Sequence, residues 1–532
     1  MNREEIERLK TIEKRVHEIA QENGLITTEI IFELVPPKRM IEAMAYGFPT
    51  NFSHWSRGRD FERQRTIYDH TGAGIPYEVV WNFDTPRAFL VDTNPFALNV
   101  VILCHVYGHV DFFLGSRYLN RGREIADMAR EARNAAKRFQ EYEKIYGVDA
   151  VEQMIDAAMT IQWIQDPDPF AEDLDEEAVR EDLMERERAK LERAKGGLSS
   201  EFNLKNYTDK ELISINSRLK RLKYRTPPVP THDVLKYITD HSPKPLRDWE
   251  RDVLQVVRHQ ARYLAPQRRT KLLNEGWATY WHTKIIRQLF EEGLLTEREH
   301  GVFNQYNSAV LAENKKSMNW YRIGVAMYGY VEDRWNKGQF GIEYEDSNDP
   351  RKHLTWDMGA MKGREKLFEI RTAYSDRMAI EEFFTDEFIR EQELYIWEQV
   401  YWNGEYVDVI VEDRPEVIRQ QLKNFHGLYN SPLVTVEDGN YKRRGELYLK
   451  HHFTGFELDP RFESGTLEHI YRMWSKPVHL ETVEILDEKE VEVKPKHGKS
   501  EVVVMRNMRV IVHSYDGKNH TEKEKTVEDS DD

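Results

Sequence analysis

Ile6, Leu9, Ile12, Val16 and Ile19 recur every three or four residues, and Asn23-Gly24 follows them. That spacing puts the apolar side chains on one face and predicts a helix over residues 4–22 that stops at the glycine. A short strand is expected near 28–35, ended by Pro36-Pro37, and two more at 77–81 and 87–91. A helix is expected to begin near Asn94-Pro95, because proline is pre-set for a first helical turn. Its stripe reads Leu98, Val101, Ile102, His105, His109, Phe112, so two imidazoles stand in an otherwise apolar row.

Residues 121–200 read as charged helices with a Pro-punctuated acidic junction at 166–169, a pattern that predicts a solvated helical insertion. Pro227-Pro228-Val229-Pro230 marks a loop. Helices resume at 246–264, 270–290, 320–334 and 353–372. Near residue 386 the texture changes. Strands are expected at 407–411, 433–436, 446–452, 480–494 and 501–513, the last two as a hairpin over 496–499, with helices at 415–426 and 463–473 between them. The expected fold is therefore α+β and mostly helical. Residues 1–385 form a helical domain with a few strands, zincin-like in its strand pair beside a histidine helix. Residues 386–515 form a smaller α+β domain, and 516–532 a disordered acidic tail.

Composition narrows the partners. The 532 residues carry a net charge of −16, much of it in residues 166–187 and 522–532, which disfavours nucleic acid and anionic membranes as general partners. A single cysteine, Cys104, excludes an intrachain disulfide and a thiolate metal cluster. The first ten residues are too charged for a signal peptide and no apolar run approaches membrane length, so a cytoplasmic protein without a membrane span is expected.

Candidate chemistry sits on the histidine helix. Nineteen histidines in 532 residues would give roughly 0.7 pairs at this spacing by chance, so the spacing alone says little. The apolar setting says more, since two buried imidazoles need partners. A divalent metal would serve, and so would buried polar groups. Leu273-Asn274-Glu275-Gly276-Trp277-Ala278 resembles the Asn-Glu-Gly-aromatic-Ala run of gluzincin peptidases, in which the Glu is the third zinc ligand. His105, His109 and Glu275 are thus the expected ligands of a zinc ion. Val106 stands where those peptidases carry their catalytic glutamate, so any base must come from elsewhere. Candidates are His54, Glu250 and His259. His282 lies too far along its helix to share an ion with Glu275, and is expected behind the ligands or facing a substrate.

Five segments together carry a further resemblance: 52–56 (Phe-Ser-His-Trp-Ser), the His105/His109 helix with Asp111-Phe112-Phe113, 273–282, 363–371 and 440–449, the last continued by 474–482. They are similar to the stage V sporulation protein R (SpoVR) family over about residues 25–485. The resemblance implies a link to sporulation, cell-wall or stress physiology. It also implies association with a PrkA-type serine protein kinase and a von Willebrand A-like protein. Two function classes stay open: a zinc-dependent hydrolase of peptidase or amidase type, and a non-catalytic regulator with a structural or relic metal site.

Overall fold

The computed structural model describes residues 1–46, 78–124, 128–166, 174–195, 208–313, 318–347, 355–402, 405–427, 431–493 and 501–525. The chain is mostly helical with strands in small sheets. It divides into two compact units, each assembled from two stretches: 1–138 with 263–430, and 139–262 with 431–532.

In the first unit, β1 (Ile31–Val35), β2 (Glu78–Trp81) and β3 (Arg87–Val91) form a sheet in the order β1-β3-β2, with β1 parallel and β2 antiparallel to β3. The histidine helix follows at Phe96–Gly115. Contrary to the sequence reading, it is long and apolar enough to cross a membrane. Its two histidines, Asn99 and Asp111 interrupt the literal run while the average stays apolar. In this structure 89% of that stretch is buried, as in the core helix of a soluble protein.

Three helices run together here: Phe96–Gly115, Lys271–Glu291 and Trp320–Lys337. Glycines set how closely they approach. A methyl group on Gly108 would stand 2.6 Å from the Ala278 Cα, and one on Gly276 would stand 2.5 Å from the backbone of Gly324. Both contacts flank the candidate ligands, so the same glycines that permit close packing bring His105, His109 and Glu275 together. Gly276→Ala is expected to cost at least about 1–3 kcal/mol, because the clash is with backbone that cannot rotate away. Chemical unfolding measures this, and wild-type stability in the variant would show that the helices do not pack through this glycine.

Two buried carboxylates fix the helices further. Asp111 accepts from Ile26 N at 2.7 Å and Trp277 Nε1 at 2.8 Å, with Arg371 Nε at 3.3 Å. Asp376 accepts from Leu272 N at 2.9 Å and Leu273 N at 3.1 Å, capping the Lys271–Glu291 helix from outside. The cap residue itself, Thr270, turns its hydroxyl back to the Pro266 carbonyl. Burial pushes the Asp376 carboxyl up to about 8, against the pull of those two N–H groups. Among the described residues, the hairpin of β4 (Ile396–Trp402) and β5 (Glu405–Glu412) completes the strands of this unit. Of these two, the sequence pattern located only the second.

The second unit holds a five-stranded sheet, ordered β10-β9-β8-β7-β6, from β6 (Val434–Tyr441), β7 (Glu446–His451), β8 (Val478–Val493), β9 (Glu501–Tyr515) and β10 (His520–Glu524). All neighbours are antiparallel except β7 and β8. Strand β10 corrects the expectation of a tail beginning at 516, since it pairs with β9 across residues 511–515. The expected insertion is also not wholly solvated. Its Val148–Thr160 helix buries Val151, Met154, Ile155, Ala157 and Ala158 and packs on the helix Pro460–Trp474.

Candidate metal centre

His105 and His109 are one helical turn apart on the Phe96–Gly115 helix, and Glu275 faces both from the first turns of the Lys271–Glu291 helix. Glu275 Oε2 lies 3.4 Å from His109 Nε2 and 3.6 Å from His105 Nε2. The three candidate donor atoms lie within 4.8 Å of one another, and all three residues are buried. Ligands bound at 2.0–2.1 Å to a tetrahedral ion stand about 3.3 Å apart, so these two separations suit a shared ion better than they suit hydrogen bonds. Glu275 Oε2 is buried without a hydrogen-bond partner among the described residues. An orphaned carboxylate oxygen facing two imidazoles is a donor set that a divalent cation would satisfy. Those residues therefore fit the zinc that the sequence suggests.

Electrostatics agree with a charged carboxylate here. Burial would raise the Glu275 carboxyl, but His105 and His109, helped by Lys271, hold it well below the usual carboxylate range. Lys271 Nζ reaches the other oxygen, Oε1, at 3.3 Å. Behind the imidazoles stand three polar side chains. His109 Nδ1 lies 2.9 Å from Asn274 Oδ1, His105 Nδ1 lies 2.9 Å from His282 Nδ1, and His282 Nε2 lies 3.2 Å from Asn307 Oδ1. Burial, together with the neighbouring His105, lowers His282 to about 3, so it is a neutral imidazole at physiological pH.

The proposed base candidates fare differently. His54 lies outside the described residues. Glu250 and His259 belong to the second unit, where Glu250 accepts from Lys244 Nζ at 3.1 Å and from Arg247 N at 2.7 Å beside the start of its own helix. His282 meets the Nδ1 side of His105, away from the Nε2 that faces Glu275. Val106 is fully buried in the apolar core. Sequence reasoning missed Asn274 and Asn307. The first was within the quoted Asn-Glu-Gly run; the second carries no local signal.

A second constellation lies in the five-stranded sheet. His479 Nδ1 is 2.8 Å from Ser514 Oγ and its Nε2 is 3.0 Å from Glu446 Oε2. Ser514 is the direct cross-strand partner of His479, Glu446 lies two residues along β7 from its other partner Tyr448, and Ser514 pairs in turn with Thr521. With β9 paired on both sides, its backbone N–H groups are engaged in the sheet, and an acyl-transfer centre needs free ones for its oxyanion. The line is a hydrogen-bonded ladder across the sheet.

Comparison with known proteins agrees with the five-segment resemblance. No solved structure matches the chain. The uncharacterized protein YcgB of Escherichia coli (strain K12) is 24% identical over 461 residues, spanning 84% of this chain and 86% of the relative. A family model described as SpoVR like protein matches residues 3–430, which include all three candidate ligands, and the chain belongs to that SpoVR family.

Proposed function

We propose that the protein is a cytoplasmic, zinc-dependent hydrolase of peptidase or amidase type, acting on cell-wall peptides or a regulatory protein. The observation that carries this reading is the convergence of His105 Nε2, His109 Nε2 and Glu275 Oε2 at distances suited to one ion. Zinc held by three protein groups would supply Lewis-acid activation of water or a carbonyl at neutral pH. His105 and His109 would hold the ion with neutral nitrogens, and Glu275 would neutralise half of its charge. Lys271, half-exposed beside Glu275, is placed to attract an anionic group of a substrate.

Val106 favours a second reading. A peptidase glutamate at that position would take the proton from the attacking water, and a buried valine takes none. On this reading the metal supports the fold of a regulatory protein that works with a PrkA-type serine kinase and a von Willebrand A-like partner.

Elemental analysis of the protein purified without chelators tests the shared premise. Near-stoichiometric zinc is expected in the native chain and little in Glu275→Gln, which removes the charge and keeps the shape. A native protein that is metal-free and takes up no zinc on addition would overturn the hydrolase reading and leave only a regulator with a relic site. Incubating the zinc-loaded protein with cell-wall peptides then separates them. Little turnover of generic peptides is expected on either reading, because general-base help is typically worth about 10²–10⁴ in rate. Turnover of a specific cell-wall peptide by the native protein, lost in Glu275→Gln, favours the hydrolase.

A further inference from the structure

A neutral imidazole has one N–H donor and one bare acceptor nitrogen, and only the bare nitrogen binds a metal. What stands behind each ring therefore decides whether it is a ligand. Asn274 Oδ1, 2.9 Å from His109 Nδ1, can only accept. The proton of His109 must sit on Nδ1, and its Nε2 is left bare toward Glu275. His105 is less direct, because its Nδ1 faces another imidazole nitrogen, His282 Nδ1, at 2.9 Å. One of those nitrogens carries a proton and the other does not. Asn307 breaks the tie. Its Oδ1, 3.2 Å from His282 Nε2, takes an N–H there, which leaves His282 Nδ1 bare and forces the proton of that bond onto His105 Nδ1. The chain Asn307–His282–His105 ends in a bare Nε2 on the same side as that of His109.

We propose that Asn274 and the Asn307–His282 pair are positioning residues that fix His109 and His105 as Nδ1–H tautomers, presenting both Nε2 lone pairs to one divalent cation. This rests on the metal-site reading: only with a cation between them can two bare Nε2 atoms face the Glu275 carboxylate, so these are the tautomers of the ion-bound site. The arrangement also explains why Asn274 precedes Glu275. One helix supplies a ligand and, from the adjacent residue, the group that orients another ligand.

The test has two arms. Long-range ¹⁵N–¹H spectra of zinc-loaded, histidine-labelled full-length protein should show His105 and His109 protonated at Nδ1. Single replacements of each histidine assign the signals. Protonation at Nε2 in either ring of the zinc-bound protein overturns the proposal, whereas a chain that takes up no zinc overturns the metal-site reading instead. In the second arm, zinc affinity is measured by competition with a chromogenic chelator. Asn307→Leu and His282→Leu should weaken zinc on the order of 10- to 100-fold. Asn307→Asp keeps an acceptor facing His282 and should stay within a few-fold of the native protein. Equal losses in Asn307→Leu and Asn307→Asp, or none in either, would show that orientation of His105 does not pass through this pair.

Discussion

His109→Ala is expected to abolish tight zinc binding and to remove the rise in melting temperature that zinc gives the native protein. An ion that binds only the folded chain stabilises it by RT ln(1 + [L]/Kd), about 4 kcal/mol when free zinc is a thousandfold above Kd. Removing one of three ligands withdraws that term. It also leaves Glu275 buried before His105 and Lys271 alone, and Asn274 without its ring. The metal-free variant should therefore melt below the metal-free native protein as well. Both effects are read in one thermal-shift series with and without zinc. The sign with pH follows from competition between zinc and protons for the same imidazole nitrogens. The zinc-induced rise should be largest in alkaline solution and shrink in acid, where protons displace the ion. A His109→Ala protein that still holds a full equivalent of zinc would show that the ligand assignment is wrong.

The sequence made part of this centre legible and hid the rest, for a physical reason. Residues three or four apart on a helix share a face, so His105 and His109 can be paired from their spacing, and Glu275 from the run of residue types around it. Asn307, Asp376 and Gly324 each contribute one group from a different helix, and a single asparagine, aspartate or glycine leaves no periodic trace. The fold shows the same divide. Strands β2, β3, β7 and β9 are rich in β-branched, aromatic and leucine side chains, a composition that marks their positions to within a few residues. Strand β10 is exposed along its length, reads His-Thr-Glu-Lys-Glu, and is held by backbone pairing to β9, which composition does not report. The Val148–Thr160 helix was masked by the charge of its neighbours, although its own buried side chains lie three or four residues apart. A change of texture near 386 reports secondary structure, whereas packing joins 139–262 with 431–532 through surfaces that meet only after folding.

Val106→Glu is the change that sequence comparison with peptidases invites, since it would restore the missing glutamate. The structure turns it into a test of stability. Val106 has no exposed surface and sits in the apolar core beside Ile102, Val110 and the Trp277 cluster. A carboxylate there must either stay protonated, with its pKa driven up by burial, or stand charged without a partner. Either course costs several kcal/mol, a large share of the 5–15 kcal/mol typical of a folded protein. The expected outcome is poor recovery of folded protein, or a melting temperature well below that of Val106→Ala, which carries only the loss of two methyl groups. Because the unpaired carboxyl is the cause, the gap between the two variants should narrow in acid, where the glutamate is neutral in the unfolded chain as well. Zinc affinity per folded molecule should change little, as Val106 is not one of the three candidate ligands. Peptide hydrolysis gained by a well-folded Val106→Glu protein would contradict this account directly. It would mean that the side chain leaves the core for the metal side of the helix, and that the helix is laid out as in the peptidases after all.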